Sequence, residues 1–498
     1  MMKQKAMTVL AVLLLLSSVF GVAFAQGEGV QTLPGGGWTT GTQVQNVGTG
    51  NALIVMTVYG QTAGDWTKSF ADVEPGASVN FAATSFGWAD GSIGSAVVES
   101  DEPIAAVTNE TNGIAAGQYQ GVGSPDTTIN FPLVKNDYKG TGKYTTFFVQ
   151  NAGSTAAIIY ATYTSEDGTT YDWNSTTAID PYRMVMLNPT DVSFPTTKLG
   201  SLTVTASVPI AGVVNEHHVS DTTILQATRG FAPAEAGTTL LIPTIKYKFG
   251  NRITGPIIQN VSGGDVNITI TYKGTGIDFV QHADNVPDGA SVTFFKNTEV
   301  CPAGATCSRT GTALPAGTLA SAVVTATGNI VGVTNEAFDT IPPGERQRQT
   351  ATSAFNADLA TTKVAVPLYK VNHDYKNTGV QLQNGDTANA ASYTATFKLG
   401  GSLGTPVTQY VVQGTIDAGK YVTLFKLYKP AAMPAGSAWV GTGFPAAWST
   451  SSTSGVRFGS VIITANKPIV AAVTESDEDP VMGDRQDIKS FEAFNLTP

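Results

Sequence analysis

The sequence predicts an all-β fold: four tandem antiparallel β-sandwich domains forming a semi-rigid rod. Three observations point there. A glutamine–asparagine pair closes a short Thr/Val-rich run four times, at Gln45-Asn46, Gln150-Asn151, Gln259-Asn260 and Gln383-Asn384. An apolar run follows each pair, over 94–107, 200–213, 320–333 and 459–472. No long helical period follows the first 25 residues, whereas 53 glycines and 25 prolines suit many short strands and turns. Internal repeats are read before anything else, because missing them misassigns the whole fold. A framework copied four times is a building block, whereas an active site is needed once.

The elements follow in chain order. Lys3 and Lys5 precede an apolar stretch from Ala6 to about Phe20, and Ala23-Phe24-Ala25 precedes Gln26. A basic start, a short apolar core and an Ala-x-Ala exit predict a secretory signal peptide over 1–25. The stretch is short for a bilayer span of about 20 residues. No later segment is long and apolar enough to span a membrane. The expected location is secreted, at the cell surface only through non-covalent contacts.

Repeat one is expected over 26–125, repeat two over 126–235, repeat three over 236–358 and repeat four over 359–498. Within them, Val266, Ile268, Ile270 and Tyr272 alternate with Asn267, Thr269 and Thr271, and Ser392–Lys398 does the same. Period two with β-branched residues means a half-buried strand. Turns recur at 74–78, 180–182, 287–291 and 417–419, where proline presets the dihedral and glycine permits positive φ. Repeats two to four open on a strand ending in Lys135, Lys246 or Lys370; repeat one has only the stub Thr32-Leu33-Pro34. About seven short strands in each unit suit a sandwich, and the units are too long for propeller blades or solenoid coils. The Cys…Trp…Cys signature of antibody domains is absent, so Ig-like is an architectural label only. With short connectors and roughly 35–40 Å per sandwich, the expected rod is about 150 Å long.

Formal charge is −10 and charged residues make up 13% of the chain. An acidic, weakly charged surface argues against nucleic acid and anionic membranes as partners. Cys301 and Cys307 are close enough in an exported chain to read as a disulfide stapling repeat three.

Candidate chemistry is sparse. The first three apolar runs end in Asn109-Glu110, Asn215-Glu216 and Asn335-Glu336; the fourth shows Glu475 where the asparagine is expected. These residues read as strand caps satisfying backbone donors, with a ligand site at Glu110, Glu216 and Glu336 as the sharper alternative. Lys135, Lys246 and Lys370 beside apolar strands raise the idea of a Lys–Asn isopeptide bond. His217-His218 with Asp221 reads as a solvated loop against a metal site. The acids 475–479, with Asp477, Glu478 and Asp479 as calcium candidates, lack the spacing of an EF-hand and read as a solvated loop. No other cofactor is expected. The Gly-x-Ser-x-Gly, His-Glu-x-x-His and phosphate-loop patterns are absent. The long insertion 429–455 carries Trp439, Phe444 and Trp448, which either contact a glycan or partner or fold back on their own domain. Glycosylation sequons begin at Asn109, Asn174, Asn260, Asn267 and Asn495.

The Gln-Asn strand end, the Pro-Gly-Ala-Ser turn at 75–78 and the run from Gly94-Ser-Ala-Val-Val to Val-Thr-Asn-Glu110 resemble the tandem β-sandwich repeats of exported bacterial cell-surface proteins. The resemblance implies a non-catalytic structural subunit of a surface layer, sheath or fibre, associating with itself. An adhesin or carbohydrate-binding protein acting through the repeat-four insertion is the alternative, and an accessory module of an extracellular enzyme the third.

Overall fold

The computed structural model describes residues 33, 36–61, 64–89, 91–341, 347–400, 407–453, 457–477 and 488–496. The expected signal peptide lies outside them. The described residues are all-β, with only short 3₁₀ turns besides the strands.

Each unit is two antiparallel sheets joined by one long strand. Those strands are Gly200–His218, Thr318–Phe338 and Phe458–Asp477 in units two to four. In unit one the strand is broken at Pro103 into Gly94–Ser100 and Ile104–Thr111. Its first half lies in an outer sheet and its second half in an inner sheet. The inner sheet of unit two runs Met184–Leu187, Lys143–Asn151, the second half of the long strand, then Leu225–Arg229. Its outer sheet runs Thr170–Asn174, Ile159–Ser165, the first half, then the leading strand Asp126–Val134. Units three and four repeat this plan with leading strands Gly237–Phe249 and Thr361–Lys370. Unit one has no leading strand among the described residues, so its outer sheet is Trp66–Val73, Ala52–Gly60 and Gly94–Ser100.

The alternating pattern does what the sequence predicts. Val266, Ile268, Ile270 and Tyr272 are buried and Asn267 is exposed. Burying each such side chain contributes about 1.5–3 kcal/mol. Cys301 and Cys307 are joined in a disulfide, and the strand Thr306–Thr310 that holds Cys307 pairs with Val280–Val286.

The units do not form the expected rod. The last inner strand of each unit (Ala116–Gln120, Leu225–Arg229, Gln349–Ser353 and Ile488–Glu492) packs against those of both neighbours, and the fourth returns to the first. These four strands surround a common axis, so the chain closes into a ring with approximate four-fold repetition. The reason is burial: Tyr119, Leu225, Ala227, Ala351 and Phe491 are all nearly inaccessible. In a rod those apolar faces would be left in water.

The seams use the repeated residues. Ser95 donates to the Tyr182 carbonyl of unit two, Ser201 to Gly289 of unit three, Ser321 to Gly419 of unit four, and Ser460 to Gly76 of unit one. Each carbonyl also accepts from the glutamine of its own unit: Gln45, Gln150, Gln259 and Gln383, at 2.9–3.3 Å. The accepting residue sits at positive φ, from +64° to +78°, which glycine adopts without strain. Tyr182 takes it as a non-glycine and stacks on Tyr59 of unit one with 5.0 Å between ring centroids. The paired asparagine closes the next turn: Asn46 donates to Gly50 and Val73 carbonyls at 2.7 Å, and Asn260 to Gly264 and Val286. The Gln-Asn signature is thus a seam donor followed by a turn clamp.

Candidate functional site

The pairing register of the inner sheets is the same in all units: Asn46 faces Ile104, Asn151 faces Ile210, Asn260 faces Ile330 and Asn384 faces Ile469. Counting along from there, Glu110, Glu216, Glu336 and Glu475 stand opposite Thr40, Thr145, Thr254 and Thr378. Glu475 is therefore the fourth member of the glutamate series, and Thr474 occupies the asparagine position. This corrects the reading that put Glu475 in the asparagine's place. The strand-cap reading also fails, because these residues lie within paired strands and all four glutamates are buried.

In three units a lysine answers the carboxylate. Lys135 Nζ lies 2.6 Å from Glu216, Lys246 2.7 Å from Glu336 and Lys370 2.7 Å from Glu475. The leading strand places each lysine, whose backbone N–H donates to the Thr145, Thr254 or Thr378 hydroxyl at 3.0 Å. A second cation stands nearby: Lys143 at 3.9 Å from Glu216, Arg252 at 3.4 Å from Glu336 and Lys489 at 3.3 Å from Glu475. Burial would push the Glu475 carboxyl up, but Lys370 and Lys489 outweigh it and hold it at about 2. Burial likewise opposes ionisation of Glu216, and Lys135 and Lys143 still bring it below its ordinary value. The lysines that suggested an isopeptide bond instead form ion pairs with glutamate.

Glu110 is the exception. It is fully buried, and burial drives its pKa up to about 8 against a single hydrogen bond, 2.7 Å from Asn215 Nδ2 of unit two. Among the described residues its Oε1 has no hydrogen-bond partner, and neither has Thr40 Oγ1. The asparagines thus reach across the seam: Asn215 to Glu110, and Asn335 to Glu216 at 3.4 Å. Gln349 of unit three also donates to Glu216 at 3.2 Å. A sequence signal for this arrangement existed, since the repeated lysine and the repeated glutamate are complementary charges on neighbouring strands.

The remaining predicted residues lie elsewhere. Phe444 is 6% exposed and sits among Tyr410, Trp439, Phe397 and Trp448 at 5.0–5.8 Å between ring centroids. Trp439 and Trp448 are half-buried in the same cluster, so the insertion folds back on its own unit. Asp477 lies 3.9 Å from Lys376, while Glu478 and Asp479 fall outside the described residues. His217 stacks on Tyr144 and contacts the Thr146 hydroxyl at 3.1 Å, and burial lowers it to about 4. His218 Nδ1 accepts from the Asp221 N–H at 2.8 Å and so closes its own loop. Among the described residues no three His, Cys, Asp or Glu side chains gather as metal ligands. Of the sequons, Asn174 and Asn267 are exposed and Asn260 is fully buried.

No family model matches the chain, and no curated protein does. Among solved structures, that of Thermotoga maritima 1070 aligns with 22% of this chain and 95% of its own, at 20% identity and a TM-score of 0.19. A tetra-tandem repeat from the extending region of a large adhesion protein aligns with 93% of this chain and 96% of its own, at 12% identity and a TM-score of 0.09. Neither score supports a statement about this chain's fold or role. No helix among the described residues is long and apolar enough to cross a membrane.

Proposed function

We propose that this chain is a non-catalytic, exported structural subunit, a rigid ring of four Ig-like sandwiches that builds an extracellular or cell-surface assembly by self-association. One observation carries the reading: the recurring residues are used to join unit to unit. Serine, glutamine and the turn carbonyl make each seam, and asparagine and glutamate bridge two of them. What repeats is therefore architecture.

Self-association would use the outer sheets. The edge strands Trp66–Val73 and Thr170–Asn174 of units one and two each pair on one side only among the described residues. Such edges are templates for strand addition. In unit three the disulfide-bearing strand lies beyond Val280–Val286, and in unit four Ala438–Trp439 lies beyond Thr408–Ile416. Units one and two are then the sticky half of the ring.

Negative-stain microscopy of the purified protein over a concentration series tests this. Ordered sheets or filaments of ring-shaped particles are expected. Discrete rings at every concentration would overturn self-assembly.

A further inference from the structure

Two seams enclose a small cavity at the same place, one beside Glu216 between units two and three and one beside Glu336 between units three and four. The walls correspond position for position but differ in chemistry. In the first cavity Leu133, Val214 and Ala351 form an apolar side. In the second, Thr244, Thr334 and Ser490 hold those three positions, and Thr474 holds the position of Asn335. The second cavity is therefore walled largely by hydroxyls, with the Glu336 carboxylate among them. It has about 10 Å³ of room for the centre of a water, which suits a single molecule.

The hydroxyls define what fits there. Thr334 is 2% exposed, and its Oγ1 has no hydrogen-bond partner among the described residues. Thr334 and Glu336 are two apart on one strand, so their side chains share the face that lines the cavity. From unit four, the Thr474 and Ser490 hydroxyls lie 3.1 Å apart. That contact uses one of their two protons and leaves the other to donate. Glu336 already has Lys246 at 2.7 Å and Arg252 at 3.4 Å, so the site calls for no further cation. A water both donates and accepts, and buried waters sit where polar groups lack protein partners. We propose that the seam between units three and four binds one buried water, which bridges Thr334 of unit three to the Thr474–Ser490 pair of unit four. It does there what asparagine does in the two preceding seams, where Asn215 reaches Glu110 at 2.7 Å and Asn335 reaches Glu216 at 3.4 Å. Those two seams are bridged by a side chain fixed to the chain. The third is bridged by a molecule that exchanges with solvent. The inference holds whether or not the ring self-associates.

A high-resolution crystal structure of the unaltered protein tests this without any variant. Water density is expected about 2.7–3.2 Å from Thr334 Oγ1 and from the Thr474 or Ser490 hydroxyl. Oxygen-17 relaxation dispersion, which counts long-lived internal waters, gives a solution readout on the full chain. Thr474→Asn restores the side chain used in the preceding seams. It should fill the cavity with its amide and lower that count by one. A well-ordered cavity without density in the unaltered protein would overturn the proposal. So would a Thr334 hydroxyl found bonded to a protein carbonyl instead, or an unchanged count in a folded Thr474→Asn variant.

Discussion

Units one and four place a glutamate at the same point of the same strand and treat it in opposite ways. Glu475 is held at about 2 by Lys370 and Lys489, whereas Glu110 is pushed up to about 8 by burial, with no cation beside it among the described residues. Both side chains are buried to the same degree. The difference is two cations: the leading strand delivers Lys370 and the last inner strand Lys489 to unit four, whereas unit one has no leading strand among its described residues and sets Gly117 opposite Glu110. Burial alone therefore does not set the charge state of a glutamate in this fold; its partner does.

That contrast can be broken from the paired side first, where the largest effect is expected. Lys246→Met leaves Glu336 buried with Arg252 as its one cation among the described residues, and should lower unfolding free energy by up to roughly 3–5 kcal/mol. Adding Glu336→Gln to it should restore part of the loss, because the carboxylate left with Arg252 in place of two cations goes with it. A double variant no more stable than Lys246→Met would show that packing of the lysine stem, and not the charge, dominates.

The unpaired side should respond in the other direction. The folded state holds the Glu110 proton up to about pH 8, while the unfolded chain releases it near the ordinary value of 4.5. Between those values the native state binds more protons, so rising pH erodes stability. Glu110→Gln should therefore stabilise the protein by roughly 2–4 kcal/mol at pH 8 and have little effect below pH 4.5. Urea titrations at the two pH values read this directly, and a gain independent of pH would contradict it. Glu475 has the opposite sign. Its stabilisation is present above pH 4.5 and is lost as pH falls through about 2, so Glu475→Gln should cost most at neutral pH and least in acid.

The smallest effect belongs to the seams. Ser321→Ala removes one of two donors on the Gly419 carbonyl, leaving Gln383 at 3.3 Å. A loss of about 1 kcal/mol is expected from thermal or denaturant unfolding. No measurable change would mean that Gln383 alone satisfies the carbonyl.

Much of each unit was legible in the sequence, because local signals carry it. The alternation in 266–272 set a strand face, and Cys301 and Cys307 declared their own bond. The ring was not legible. A short connector is as compatible with a bend as with a straight run, and the closing contact, Ser460 to Gly76, spans 384 positions. The carboxylate site was half legible. Lys135, Lys246 and Lys370 stand out, but the sequence raises asparagine only as an idea for their partner and does not point to glutamate, since nothing in it shows which way a strand residue faces across two sheets. The error at Glu475 came from matching residue types, where the pairing of Asn384 with Ile469 fixes the register. Trp439, Phe444 and Trp448 remained undecided because an aromatic in an insertion looks the same whether it meets a partner or its own core.

The central claim is closure of the ring, with unit four docked on unit one through Ser460, Ser78 to the Pro367 carbonyl at 3.0 Å, and Lys398 to the Pro75 carbonyl at 2.7 Å. Small-angle scattering of the purified monomer tests it most directly. A compact ring of this length should give a radius of gyration near 25 Å, about that of a single globular body. A radius above about 40 Å, as an extended rod of four sandwiches about 150 Å long would give, would contradict the closed ring.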